Sequence, residues 1–470
     1  MKKIQNNLKM KKHLSSAKKI GLLTLSSRFL GLIRDMLCAA LFGATLFWDS
    51  FILSWTIPNL FRRLFGEGAL SSAFIPIFAK ARKEKGLVRA FIYSRNCATY
   101  FSLLLLVLTA LFYLVGGIFY FFSPQLTQKT TLFLQLSFIL APYLILICLT
   151  ALASGALNSL DEFLLPAFLP VLLNLFWIFS LLLGMGIFSA SSKKPLLLWM
   201  SGALILGGIC QLLLSLVSLG KKGLSLSLSW DFQDPYLQET KNRMIPVIWS
   251  LALLQINVLL DRVIAEIFVP GNGAVSALYF GNRLVQFPLA LVGISLATAV
   301  FPALSREALQ SQGGQFYQTF LWALKTVFFI ALPASIGLMI LAHPIVEILF
   351  QRGSFQKEAS LRTVEVLVAY GPSVCFYSMV HILNRAYYAK GNPKIPAKVA
   401  SYLVGLNLLL NLVLVFPFHE AGLAISTSIC SFLNCLILYI VFIKKYFSQK
   451  PKIIEIFHPK VILAASAMGA

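Results

Sequence analysis

The sequence predicts an all-α polytopic membrane protein: two six-helix lobes related by a pseudo-twofold along the membrane normal, around a central cavity, followed by the start of a further C-terminal helix. Three observations predict this. The 470 residues are 58% hydrophobic and 12% charged, with mean hydropathy +0.81, a balance foreign to soluble globular domains. Apolar stretches of roughly the 20 residues needed to cross a bilayer recur along the whole length. Short motifs also repeat at one spacing of 226 residues, pairing Ala73-Phe74-Ile75-Pro76 with Ala299-Val300-Phe301-Pro302, Leu157-Asn158 with Leu383-Asn384, and Asp35 with Asp261. An even number of spans per repeat gives both lobes the same orientation.

The elements follow in order. Residues 1–19 form a basic arm, and the apolar run after it holds Arg28, Arg34 and Asp35 without a cleavage signal, so it reads as a retained first helix rather than a signal peptide. The N-lobe, 20–219, carries spans near 17–43, 47–79, 91–123, 130–157, 163–188 and 196–219. An amphipathic linker covers 220–243. The C-lobe, 244–445, carries spans near 244–268, 274–304, 316–350, 361–389, 396–416 and 421–443. Residues 446–470 read as a cytoplasmic loop and the start of a thirteenth helix near Pro459.

The formal net charge of +23 suggests nucleic acid until the cations are placed. They fall in alternate loops: the arm, Lys80 to Arg89, Lys221 to Arg243, Lys390 to Lys398 and Lys444 to Lys460. With the N-terminus in the cytoplasm, roughly 25 Lys and Arg lie inside against about 6 outside, a positive-inside pattern. No nucleic acid is therefore expected as a partner. The seven cysteines lie in apolar segments without metal-ligand spacing, the five histidines are scattered, and no GxSxG, HExxH or P-loop occurs. Neither enzymatic chemistry nor a metal or cofactor is expected.

Charges inside the spans remain to be explained. A charge at the middle of a membrane helix costs about 3 kcal/mol on insertion scales. Span one holds Arg28, Arg34 and Asp35, with Gly31 between the arginines permitting close helix approach. Arg28 and Asp35 are seven apart and share a face, with Arg34 turned away. Span two holds Asp49, Arg62, Arg63 and Glu67 around a bend at Pro58. Arg63 and Glu67 have pairing distance in sequence, Asp49 lies on roughly the same side as Arg63, and Arg62 takes another face. Span eight adds Arg283. Arg28, Arg62 and Arg283 converging on one cavity would suit a phosphate or diphosphate, which guanidinium forks bind bidentately. A second reading has the same arginines tying helices together through Asp35, Asp49 and Glu67.

These blocks, SRFLGLIRD from Ser27, WDSF from Trp48, PNLFRRLFGEGALSSAFIPIF from Pro58, NRLVQFP from Asn282, LFQRGSF from Leu349 and NRAYYAKGNPKIP from Asn384, resemble the MurJ (MviN) lipid II flippases of the multidrug/oligosaccharidyl-lipid/polysaccharide exporter superfamily. The resemblance covers nearly the whole chain. It implies that undecaprenyl-diphosphate-MurNAc(pentapeptide)-GlcNAc is flipped from the cytoplasmic to the periplasmic leaflet of the bacterial inner membrane by alternating access. It carries substrate contact onto Arg28, Arg34, Arg62 and Arg283, and salt-bridge or gating roles onto Asp35, Asp49 and Glu67. Expected partners are lipid II, membrane lipids and cell-wall synthesis enzymes. Family members have fourteen spans, the last two forming a groove for the lipid tail, and this chain is expected to end before them. Asn282 and Gln286 depart from the family, which often has an acidic residue beside the span-eight arginine. Other readings are a multidrug antiporter, which the arginines disfavour, a flippase for another polyprenyl-diphosphate oligosaccharide, a transferase, which lacks its DDxxD pair, and a non-transporting scaffold.

Overall fold

A computed structural model of the chain describes residues 2–123, 125–188, 192–225, 227, 229–309 and 314–447, with the side chains of 2–18, 66–71, 250 and 254 outside the description. Every regular element among the described residues is a helix. The chain divides into two compact units, Met1–Phe42 with Leu46–Gln255 and Gly43–Thr45 with Ile256–Ala470.

The first unit begins with α1 (Lys2–Phe42), one continuous helix that absorbs the basic arm into the first expected span. α2 (Leu46–Phe61) runs through Pro58 and passes into a π-helical stretch, Arg62–Ala69, before α3 (Leu70–Phe122). α3 holds the end of the second expected span and the whole body of the third because it turns at Gly86, whose φ of 80° is open to glycine without a Cβ clash. The fourth expected span is two helices, α4 (Gln128–Leu140) and α5 (Tyr143–Ser159). Thr127 starts α4 by accepting the Thr130 N–H on its hydroxyl at 3.2 Å. The break falls at Ala141-Pro142, where proline has no N–H to continue the ladder. α6 (Leu164–Ile187) and α7 (Lys193–Lys221) complete this bundle.

Lipid tails are as apolar as leucine, so helices associate in a bilayer by close packing rather than by excluding water. α5 meets α7 at Gly208, where a Cβ would stand 2.8 Å from the Tyr143 ring. Phe74, Phe78, Tyr93 and Tyr143 fill the same buried cluster.

The segment after α7 folds back onto α3. Asp234 is fully buried. Its two oxygens accept both Arg89 Nη atoms at 2.9 Å, the Asn96 amide at 2.7 Å and its own Tyr236 N–H at 2.9 Å. Tyr93 and Thr240 share a hydroxyl hydrogen bond of 2.5 Å. The residues read as a linker thus pack as part of the first unit, and the division falls later, inside α8 (Pro235–Phe268).

In the second unit α9 (Ala274–Pro288), a π stretch at Leu289–Ile294 and α10 (Ser295–Glu307) form the eighth expected span. Shifted by the 226-residue spacing, this π stretch falls on 63–68, within Arg62–Ala69. Both copies therefore widen one turn of helix ahead of the matching prolines, Pro76 and Pro302. α11 (Gly314–Ile340) and α12 (Ala342–Phe350) make the ninth span, and α13 (Lys357–Ala389) the tenth. α14 (Lys394–Tyr446) carries the last two, reversing at His419, which has φ 50°.

α13 is central, with Gly371, Ser373, Ser378 and Ala386 giving it several close faces. A Cβ on Gly281 of α9 would stand 2.7 Å from Val366 of α13. Nine helices among the described residues are long and apolar enough to cross a membrane; α1, whose apolar run holds Arg28, Arg34 and Asp35, and α2, which is 16 residues long, are not among them. The expected thirteenth helix lies outside the described residues.

Candidate functional site

The first unit carries most of the residues singled out by sequence, and the fold separates them into distinct settings. Pro58 is buried in α2 and removes one backbone donor. One turn later the ladder changes to π spacing at Arg62, a distortion common at functional positions. Arg62 is partly exposed, and its Nε donates to the Asn59 side chain at 3.1 Å. Arg63 is likewise partly exposed on the same π turn. Its expected pairing with Glu67 falls on a side chain outside the described residues.

Span one departs from the face argument. Arg28 is exposed, and Gly31 is buried within an unbroken α1. Asp35 is fully buried and its partner is its neighbour Arg34, whose Nε and Nη2 both donate to Oδ1 at 2.9 and 2.6 Å. The remaining fork of Arg34 donates to Asn174 on α6 at 3.0 Å, and the guanidinium lies 4.3 Å above the Trp177 ring. A long arginine side chain curls back along its own helix to reach the adjacent carboxylate, which Cβ directions alone do not forecast. Asn174 also donates to the Ser27 carbonyl at 2.9 Å, tying α1 to α6 twice.

Asp49 pairs with Lys129 of α4 at 3.1 Å, and only 1% of the carboxylate side chain is exposed. Residues Ser50 and Ser54 line the same seam, Ser54 Oγ donating to the Phe133 carbonyl at 3.0 Å and Ser137 Oγ donating to Ser54 at 3.0 Å. Sequence reasoning looked for the partner of Asp49 on its own helix and missed Lys129. The available signal was a lone lysine in the first turn of an otherwise apolar run.

In the second unit Arg283 lies partly exposed on α9, and Gln286 donates to Asn282 at 2.6 Å across one turn of the same helix. Asp261, the repeat counterpart of Asp35, accepts the Asn411 amide at 2.6 Å. Asn411 donates also to Asn407 at 3.1 Å, and Ser426 bonds to Asn411. An asparagine of the fifth span thus bonds Asp261 directly in the second unit, while in the first unit Asn174 reaches Asp35 only through Arg34. Asn174 and the Asn407/Asn411 pair were missed, although polar amides inside apolar helices could have flagged them. No group of three or more His, Cys, Asp and Glu that could hold a metal occurs among the described residues. All seven cysteines are free thiols.

Long apolar helices and an internal repeat, with buried ion pairs on the first two helices, define the class of multi-pass membrane transporters. The fold agrees with an inward-facing multidrug resistance MATE family transporter of the MOP superfamily at TM-score 0.67, with 13% identity over 91% of this chain and 99% of the other. The chain belongs to the lipid II flippase MurJ family, whose description matches residues 38–470. It is 33% identical to the probable lipid II flippase MurJ of Buchnera aphidicola subsp. Acyrthosiphon pisum, over 89% of this chain and 81% of that protein. The Vibrio cholerae probable lipid II flippase MurJ is also 33% identical, over 91% and 82%. A solved structure of lipid II flippase MurJ in an inward closed conformation superposes at TM-score 0.80, with 26% identity over 96% and 91%.

Proposed function

We propose that this chain carries lipid II from the cytoplasmic to the periplasmic leaflet of the bacterial inner membrane by alternating access, with its N-terminus in the cytoplasm. The observation that carries this reading is Arg62, a partly exposed guanidinium on a π-helical turn within an apolar span. In the first unit Arg28 and Arg62 bind phosphate oxygens of the cargo, each charge-assisted bond contributing about 1.5–3 kcal/mol, and in the second unit Arg283 supplies a further cation for it. Arg34, held by Asp35, Asn174 and Trp177, adds positive charge without reaching out. Asp35 and Asp49 fix their cations, Arg63 and Glu67 act at a gate, and Gly31 and Pro58 let the first two spans flex.

No covalent step, metal or resident cofactor is required. An inside-negative potential of 100 mV favours outward movement of the anionic head by about 2.3 kcal/mol per charge. Cell-wall synthesis enzymes, which make and consume such a cargo, are the protein partners this role implies. The test is transport in proteoliposomes. Lipid II should cross faster than undecaprenyl phosphate, and Arg62→Ala should remove the difference. Equal movement of both lipids, indifferent to the substitution, would leave a scaffold as the better reading.

A further inference from the structure

From Leu103 to Phe122, α3 exposes apolar side chains, among them Leu106, Val107, Leu114, Val115 and Phe121. This run of about 20 residues spans about 30 Å, the thickness of a hydrocarbon core. The turns of α3 just before Leu103 therefore lie at headgroup level. Three elements of the first unit meet there. The Ser229 N–H donates to Thr99 Oγ1 at 3.2 Å and pins the segment after α7 against α3. Lys241 of α8 places Nζ 3.9 Å from the Tyr100 ring centroid. Phe232 packs 6.0 Å from Tyr100 and 6.1 Å from Trp230. The Trp230 side chain is itself 60% exposed.

Four cations on this face are held by carboxylates: Arg89 by Asp234, Lys80 and Arg243 by Glu239, and Lys222 by Glu162. Arg95 and Lys241 differ. Arg95 donates one Nη to Ser227 Oγ, and its buried Nε has no acceptor. Lys241 has the Tyr100 ring. Among the described residues neither has a carboxylate partner. The two adjacent acids are occupied, Asp234 by Arg89 and Asn96, and Asp231 by the Gln233 N–H at 3.2 Å.

We propose that Arg95, Lys241, Ser227 and Trp230 form a binding site for the headgroup of an anionic glycerophospholipid. The guanidinium and ammonium neutralise its phosphodiester, the serine hydroxyl reaches a hydroxylated headgroup, and the indole sits at the boundary between headgroup and acyl chain. The adjoining hydrocarbon-facing belt and the exposed tryptophan select a lipid over a soluble phosphate.

Native mass spectrometry of the purified full chain tests this, with phosphatidylglycerol and phosphatidylcholine of identical acyl chains as probes. Wild type should retain phosphatidylglycerol preferentially. Arg95→Gln/Lys241→Gln should lower its occupancy at least tenfold with phosphatidylcholine unchanged, and Trp230→Ala, a surface change, should weaken retention of phosphatidylglycerol. Lys444→Gln/Lys445→Gln removes the same charge from the end of α14 and should retain it. Wild-type retention by the Arg95/Lys241 variant, or equal loss from both double variants, would overturn the site in favour of diffuse charge attraction.

Discussion

Arg34 and Asp35 are consecutive residues that form a buried ion pair, with two guanidinium nitrogens converging on one carboxylate oxygen at 2.9 and 2.6 Å. The pair is completed from α6, where Asn174 accepts the free fork and Trp177 covers the cation. Removing one member of a buried pair strands the other charge and costs about 3–5 kcal/mol. Asp35→Ala should therefore lower the thermal unfolding temperature strongly, while Arg28→Ala, at an exposed position of the same helix, should leave it near wild type. Differential scanning fluorimetry of the detergent-purified variants checks both.

Arg62 is expected to act on cargo rather than on stability. Losing a bidentate phosphate contact worth about 1.5–3 kcal/mol corresponds to roughly ten- to hundredfold weaker binding. Arg62→Ala should weaken lipid II binding by that factor with an unchanged melting temperature. Arg62→Lys should recover only part of it, because an ammonium lacks the planar fork. A binding titration with lipid II separates these outcomes, and equal affinity across all three proteins would remove Arg62 from the cargo site.

The Asp49–Lys129 pair joins α2 to α4 at 3.1 Å. Reversing either charge alone places like charges together in a buried seam and should abolish rescue of cells depleted of their own flippase. Reversing both, in Asp49→Lys/Lys129→Asp, should restore a substantial part of it. Failure of the double reversal to improve on either single variant would argue that Asp49 acts on something other than Lys129.

Gly208 sets the approach of α5 and α7, since any Cβ there meets the Tyr143 ring at 2.8 Å. Gly208→Val overpacks this contact and should cost about 1–3 kcal/mol. Gly202 on the same helix has no atom near an added Cβ, so Gly202→Ala should be close to neutral. Thermal unfolding of the two variants in parallel measures the contrast.

The 226-residue spacing was legible because it compares residues along the chain, and the matching π stretches repeat it. The helical wheel was a poorer guide to pairing. It put Arg28 and Asp35 on one face and turned Arg34 away, yet Arg34 reaches Asp35, because a flexible side chain spans more of the helix surface than its Cβ direction suggests. Asp49 found its partner 80 residues away, beyond any local rule.

A helical membrane protein with an internal repeat, and arginines set within its apolar runs, can be read from the chain alone. Those properties follow from composition, apolar run length and spacing, which need no knowledge of neighbouring helices. Helix packing settles which carboxylate holds which cation, that Asn174 meets Arg34 while Asn411 meets Asp261, and that the helix widens at Arg62 rather than at Pro58. Those outcomes depend on which helices pack side by side, and in an apolar solvent each buried polar group takes the partner that packing brings within reach.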